Sequence, residues 1–225
     1  MRKITLAASL VAAAPIASPA HAGSTDGHWQ IKLLGTGVLP DGKITEIKNN
    51  TIGLPAGSQT RANDNVVSTL AVEYFVTPNV SVETICCLTT HRVSGAGAIA
   101  GTAIVDHVMI LPATVMLKYH LDTGSGIKPY LGVGPTVFFY IDEKPGATTK
   151  ALGGTSLSLD NKIGIALQAG VDVPINDRGM GISLDAKKYF VNTTLHVRNA
   201  ANTEVLTTDH KIAPWVVSAG LYLRF

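Results

Sequence analysis

The chain closes on "APWVVSAGLYLRF", and its last thirteen residues alternate up to a terminal Phe225. In an extended chain successive side chains point to opposite faces. Ala213, Trp215, Val217, Ala219, Leu221, Leu223 and Phe225 therefore share one apolar face, opposed by Pro214, Ser218, Gly220, Tyr222 and Arg224. This is the pattern of a strand whose whole outer side must leave water. The same period recurs in "KPYLGVGPTVFFYI", where Leu131, Val133, Pro135, Val137, Phe139 and Ile141 oppose Tyr130, Gly132, Gly134, Thr136 and Phe138. It recurs again in "KIGIALQAGVDV", and in five further segments from "HWQIKLLGTGVL" to "GMGISLDAKKYF".

About eight such strands follow one another. Their connections alternate in length: long at 40–64, 93–106, 142–161 and 192–211, short at Thr77-Pro78, Asp122 to Ile127 and Pro174 to Arg178. An even number of strands, with tight turns on one rim and long loops on the other, predicts an all-β, eight-stranded antiparallel transmembrane barrel. A soluble calyx has the same period but turns its apolar face inward. The apolar faces here are nearly free of charge and too bulky for a small lumen, whereas the opposite faces carry glycine and scattered charge. The apolar side is expected to meet lipid.

Arg2 and Lys3 precede an apolar, alanine-rich stretch that ends at Ala20-His21-Ala22, the form of a secretory signal peptide. Residues 1–22 are therefore expected to be cleaved, leaving 23–225 as the barrel. Removing them takes two of the 18 basic residues and none of the 16 acidic ones, so the remainder is formally neutral and suggests no nucleic-acid partner. Mean hydropathy is +0.25, yet after residue 22 no apolar run approaches the length of a membrane helix. Cys86 and Cys87 are neighbours, would point to opposite faces of a strand, and read as packing residues rather than a redox or metal pair.

With the apolar parity assigned to lipid, the inward residues sort by height. Lys32, Glu73, Glu83, Lys118, His120, Lys128, Asp172 and Arg224 fall in the periplasmic half, with Asp185 and Lys187 near mid-height. Opposite charges inside a low-dielectric wall are expected to pair into a polar plug. The external half draws on Leu34, Val38, Val67, Ile85, Val108, Ile110, Pro112, Phe138 and Tyr140, an apolar vestibule unlike the polar lining of a porin or ion channel. Such a vestibule admits a small hydrophobic solute, and the charged floor sends it sideways into the bilayer. Pro112 and Pro135 each lack a backbone N–H and so mark either a lateral gap or ordinary bulges.

The segments "LPATVMLKYHL", "GIKPYLGVGPTVFFY", "IALQAGVDVPIN", "ISLDAKKYF" and "PWVVSAGLYLRF", with the earlier "TPNVSVETI", resemble consecutive signatures of the OmpW family of Gram-negative outer-membrane proteins. The resemblance implies an eight-stranded barrel in the bacterial outer membrane, in contact with its lipid, with a channel for small hydrophobic molecules. It also implies that Tyr222 and Phe225 are read by the barrel-assembly machinery.

Rival readings are a receptor-like barrel, whose external loops bind phage, toxin or host components, and a lipid-modifying enzyme. His91, His107, His196 and His210 lie near the external rim with Ser94 and Thr193, but no spacing ties them into a triad. No catalytic residue, cofactor or metal ligand is expected; His120 lacks a partner ligand at metal spacing in its own strand.

Overall fold

The computed structural model describes residues 27–225. The segment 1–22 read as a signal peptide lies outside the described residues. In chain order the elements are β1 (Trp29–Leu39), β2 (Gly42–Asn50), β3 (Ser58–Ala62), β4 (Asn65–Thr77), β5 (Val80–Cys86), β6 (Thr89–Gly97), β7 (Ala103–His120) and β8 (Lys128–Pro145). They continue with a short helix α1 (Ala147–Ala151), β9 (Ser156–Leu159), β10 (Ile163–Pro174), β11 (Met180–Arg198), β12 (Glu204–Ile212) and β13 (Trp215–Arg224).

Eight of these strands close an antiparallel ring in the order β1, β4, β5, β7, β8, β10, β11, β13 and back to β1. Gln30 to Leu39 of β1 pair with Arg224 to Trp215 of β13, so the last strand seals against the first and leaves no edge. Trp29 and Phe225 add a reciprocal pair of backbone hydrogen bonds at 2.9 and 2.8 Å.

The pleat divides the two faces as alternation requires. β1 reads exposed, buried, exposed, buried along its 11 residues. At 3.3 Å per residue and a strand tilt near 40°, that length spans about 25 Å of membrane. Leu33, Leu131, Leu221, Ile163 and Val66 stand outward and exposed. Aromatics flank this band, with Trp29, Tyr74 and Tyr119 at the end near the short turns and Phe139, Phe190 and Trp215 at the other.

Space inside a narrow barrel is short, and glycine provides it. A Cβ on Gly170 would collide with the Tyr130 ring, so this glycine is what lets that ring lie across the lumen.

The long external connections are mostly strand rather than loop, which corrects the sequence reading. Beyond the lipid band the wall continues as two lobes. One is built from β2, β12, the upper part of β11 and β9, and the other from β3, β6 and the upper parts of β7 and β8. Both faces of this collar approach water, so its outer face holds polar residues and the contrast between parities fades. Side chains rather than a backbone ladder join the lobes. Gln59 accepts from Ile44 N at 3.0 Å and donates to Ile44 O at 3.3 Å, while Glu143 accepts from Leu159 N at 3.2 Å.

Candidate functional site

Inward positions of the strands near the short turns form a dry ionic floor. Lys118 Nζ lies 2.9 Å from both Glu73 Oε2 and Glu83 Oε2, and 3.7 Å above the centre of the Tyr130 ring. Lys32 reaches Glu73 and Asp172 at 3.1 Å and Glu83 at 3.6 Å. Lys187 reaches Asp185 at 2.6 Å and Glu83 at 3.2 Å. His120 Nε2 lies 2.9 Å from Glu73 Oε1, which also accepts from Ser81 at 2.5 Å. Each of these charged side chains is almost fully buried. Gln168 donates to Asp185 and Glu83, Gln30 and Ser183 donate to Asp172, and the Tyr130 hydroxyl donates to Asp185. Buried charges are tolerated when paired and hydrogen-bonded, and here neutral donors complete what the three ammoniums leave. The structure thus brings Lys32, Glu73, Glu83, Lys118, His120, Asp172, Asp185 and Lys187 together in one cluster.

Lys128 and Arg224 lie beside Asp172 and Gln30 at the lower edge of that cluster. Both line a smaller cavity of about 90 Å³ at the periplasmic mouth. There the Arg224 guanidinium packs 3.6 Å over the Phe75 ring and donates from Nε to Gly27 O at 2.7 Å.

Above the floor lies a cavity of about 130 Å³. Val38, Ile85, Val108 and Ile110 line it, as do Pro112, Phe138 and Tyr140. Leu34 is buried and Val67 packs against the adjoining apolar cluster, but neither lines the cavity. The sequence reading missed several lining residues. Lys187 and Tyr189 stand at its base, and Leu195, Ile212, Pro214 and Leu159 come from the collar. The collar thus deepens the vestibule well past the lipid band.

The wall beside this cavity has a break. Pairing of β4 with β5 ends at Leu70 and Cys86, and pairing of β5 with β7 ends at Ile85 and Thr114. Pairing toward β7 resumes only at Thr89 and Ile110. Cys87 and Leu88 therefore have no ladder partner on either side among the described residues, and Pro112 stands where the strand toward β7 would need an N–H. Cys87 faces the cavity, while Leu88 is exposed on the lipid side. Cys86 is exposed and Cys87 buried, on opposite faces as alternation requires. At Pro135 the β7–β8 ladder omits two rungs without a change of register, and Pro135 still pairs with Ile165. Of the two prolines, only Pro112 faces residues that pair on neither side, since Val115 and Met116 opposite Pro135 still pair with Thr84 and Glu83.

A closed eight-strand lipid-faced barrel with a charged floor and an apolar external cavity is now defined, and residues 25–225 match the OmpW family. The chain belongs to the OmpW family. It is 33% identical over 223 residues to the outer-membrane protein y4mB of Sinorhizobium fredii, covering 95% of this chain and 90% of that one. It is 26% identical to outer membrane protein W of Vibrio cholerae, covering 95% of each. The crystal structure of OprG from Pseudomonas aeruginosa superposes with a TM-score of 0.77 at 23% identity, over 90% of this chain and 98% of that one, and so supports the fold.

As an OmpW-family protein the chain resides in the bacterial outer membrane, embedded in its lipid, and is not an enzyme. Ser94 donates to Arg61 O and Thr193 to Asp160 O rather than to a histidine. His210 contacts Thr208 at 2.8 Å, and His196 engages Glu204. No group of His, Cys, Asp and Glu able to hold a metal occurs among the described residues. Of the proposed assembly signal, Tyr222 is buried in the lumen wall and Phe225 is exposed toward lipid.

Proposed function

We propose that this OmpW-family barrel passes small hydrophobic molecules from the external medium into the outer leaflet. The observation that carries this reading is the vertical order of the lumen. An apolar cavity opens above a floor of seven interlocked ionised side chains, and a stretch of wall at Cys87 and Leu88 that pairs on neither side borders that cavity. A solute that leaves water for the cavity gains roughly 25 cal/mol for each Å² of apolar surface it buries. Continuing downward would require parting the ion cluster, at several kcal/mol for each charge left unpaired. Passing between Cys87 and Pro112 toward Leu88 breaks no backbone ladder, because none spans that point.

The test uses vesicles whose outer leaflet is lipopolysaccharide, which slows hydrophobic solutes by itself. Toluene is expected to enter faster than in empty vesicles, glycerol is not, and Val108→Asp with Ile110→Asp abolishes the gain. The lateral exit is tested separately. The registers that pair Ile85 with Thr114 and Thr89 with Ile110 set Leu88 opposite Leu111, so a Leu88→Cys, Leu111→Cys variant in a Cys86→Ser, Cys87→Ser background, oxidised to bridge positions 88 and 111, clamps the break. Oxidation is expected to stop toluene entry and reduction to restore it. Unchanged entry through the crosslinked form would remove this exit from the mechanism.

A further inference from the structure

The cavity is apolar in area but not in every atom. The hydroxyls of Thr69, Tyr140 and Tyr189 are buried away from water and lack any hydrogen-bond partner among the described residues. All three residues line the cavity, and Tyr189 is 1% exposed with its ring 5.4 Å from that of Phe138. Their nearest polar neighbours are the Thr114 and Thr193 hydroxyls and the Cys87 thiol; Thr114 contacts Thr136 at 2.7 Å, Thr193 donates to the Asp160 carbonyl at 2.8 Å, and none of the three neighbours makes a well-formed hydrogen bond with these hydroxyls. A buried hydroxyl without a partner is a standing penalty. A small shift of one of these side chains toward the cavity lets its hydroxyl meet a hydrogen-bonding oxygen there and removes that penalty.

The charge of that oxygen is limited by the floor beneath. Lys187 lines the base of the cavity but already lies within 3.2 Å of Asp185 and Glu83. In the floor as a whole the four carboxylates Glu73, Glu83, Asp172 and Asp185 face the three ammoniums of Lys32, Lys118 and Lys187. Each of these three ammoniums is already engaged by carboxylates of the floor, so an incoming carboxylate would have to compete with them.

Building on the uptake reading above, we propose that the preferred solutes are neutral molecules with one hydrogen-bonding head on an apolar body, about the size of a substituted phenol. The body fills a cavity of about 130 Å³, near the volume that holds a benzene ring in a dry apolar cavity. The head takes up the wall hydroxyls. The preference is for a phenol over both a bare hydrocarbon and a carboxylate of equal size.

The experiment compares p-cresol, toluene and benzoate uptake into lipopolysaccharide-faced vesicles, each corrected for empty vesicles, with wild-type barrel and with a Thr69→Val, Tyr140→Phe, Tyr189→Phe variant. These substitutions keep shape and remove unpaired hydroxyls, so folding, checked by heat-modifiable gel migration, is expected to be retained. The wild type should favour p-cresol over toluene by roughly fivefold, the worth of one net hydrogen bond, with benzoate slowest. The variant should lose that preference, its p-cresol rate falling to its own toluene rate. Equal p-cresol and toluene gains in the wild type, or a preference that survives in the variant, would overturn the head-group proposal and leave the hydrophobic route standing. If no solute exceeds empty vesicles, the route itself fails and the head-group proposal with it.

Discussion

Replacing Lys118 with methionine removes one ammonium from the centre of the floor while keeping most of the side-chain volume. Two carboxylates, Glu73 and Glu83, each lose a partner at 2.9 Å, and the Tyr130 ring loses the cation held 3.7 Å from its centre. All the groups involved are almost inaccessible to water, so solvent cannot replace what is lost. Removing one member of a buried ion pair costs about 3–5 kcal/mol. With a urea dependence of about 2 kcal/mol per M, the unfolding midpoint should fall by roughly 2 M. The fluorescence of Trp29 and Trp215, which face lipid at opposite ends of the band, reports that transition in vesicles. The charge count supplies the decisive control. Lys118→Met leaves four carboxylates against two ammoniums, and adding Glu83→Gln returns the excess to one. The double variant should therefore regain at least half of the lost midpoint shift. A single substitution that moves the midpoint by less than about 0.5 M, or a double variant less stable than the single, would refute mutual compensation as the reason these charges are buried.

Three further outcomes follow from the collar and the chain end. Burial pushes the His210 imidazole down to about 4, against a smaller upward pull from Asp209. Its unfolded form takes up a proton near pH 6.5, so the collar is most stable above that pH and weakens as pH falls from about 6.5 to about 4, by up to about 3 kcal/mol. The ring's NMR shift should stay that of a neutral imidazole down to about pH 4, and a midpoint near 6.5 would show it solvated. Gln59→Ala removes the amide that joins Ile44 across the two lobes, and one lost hydrogen bond should speed hydrogen exchange at the Ile44 amide roughly fivefold; unchanged exchange would mean the seam is held by something else. Phe225→Ala keeps the backbone bonds to Trp29. It should reduce outer-membrane levels in cells while leaving refolding into vesicles unchanged, and equal loss in both would assign the residue to stability rather than to recognition by the assembly machinery.

How far the sequence reaches depends on whether one residue's neighbours along the chain settle the question. They do for the faces of the barrel, because lipid on one side and a tight lumen on the other set a contrast at every second residue. Leu33 and Lys32, or Leu131 and Tyr130, separate on parity alone. The same logic isolated the charged members of the floor, but it passed over Gln30, Ser81, Gln168 and Ser183, whose small or neutral polar groups carry no signal of burial. In the collar the contrast weakens. "GKITEIKNN" is a strand exposed along most of its length, so its residues read as a loop. "NTTLHVR" is the legible exception, since Leu195 and Val197 continue the inward parity of Val191 and are buried.

The break in the wall lay beyond any reading of single strands, because it is a property of three strands at once. Pro112 removes an N–H from one edge of β7, but a missing donor opens a wall only if the facing strand is not pinned from its other side. Pro135 shows the contrary case: Val115 and Met116, across the rungs it omits, are still held on their other side by Thr84 and Glu83. Opposite Pro112 the facing residues are Cys87 and Leu88, where β5 has ended and β6 has not begun. The β4 side stops pairing at the same height, at Leu70. Three local interruptions must coincide in height, and height depends on the stagger between strands, which is set by turn geometry around the whole ring rather than by the alternation within any one segment. Two prolines of equal local chemistry thus differ in consequence, and only the registers of their neighbours tell them apart.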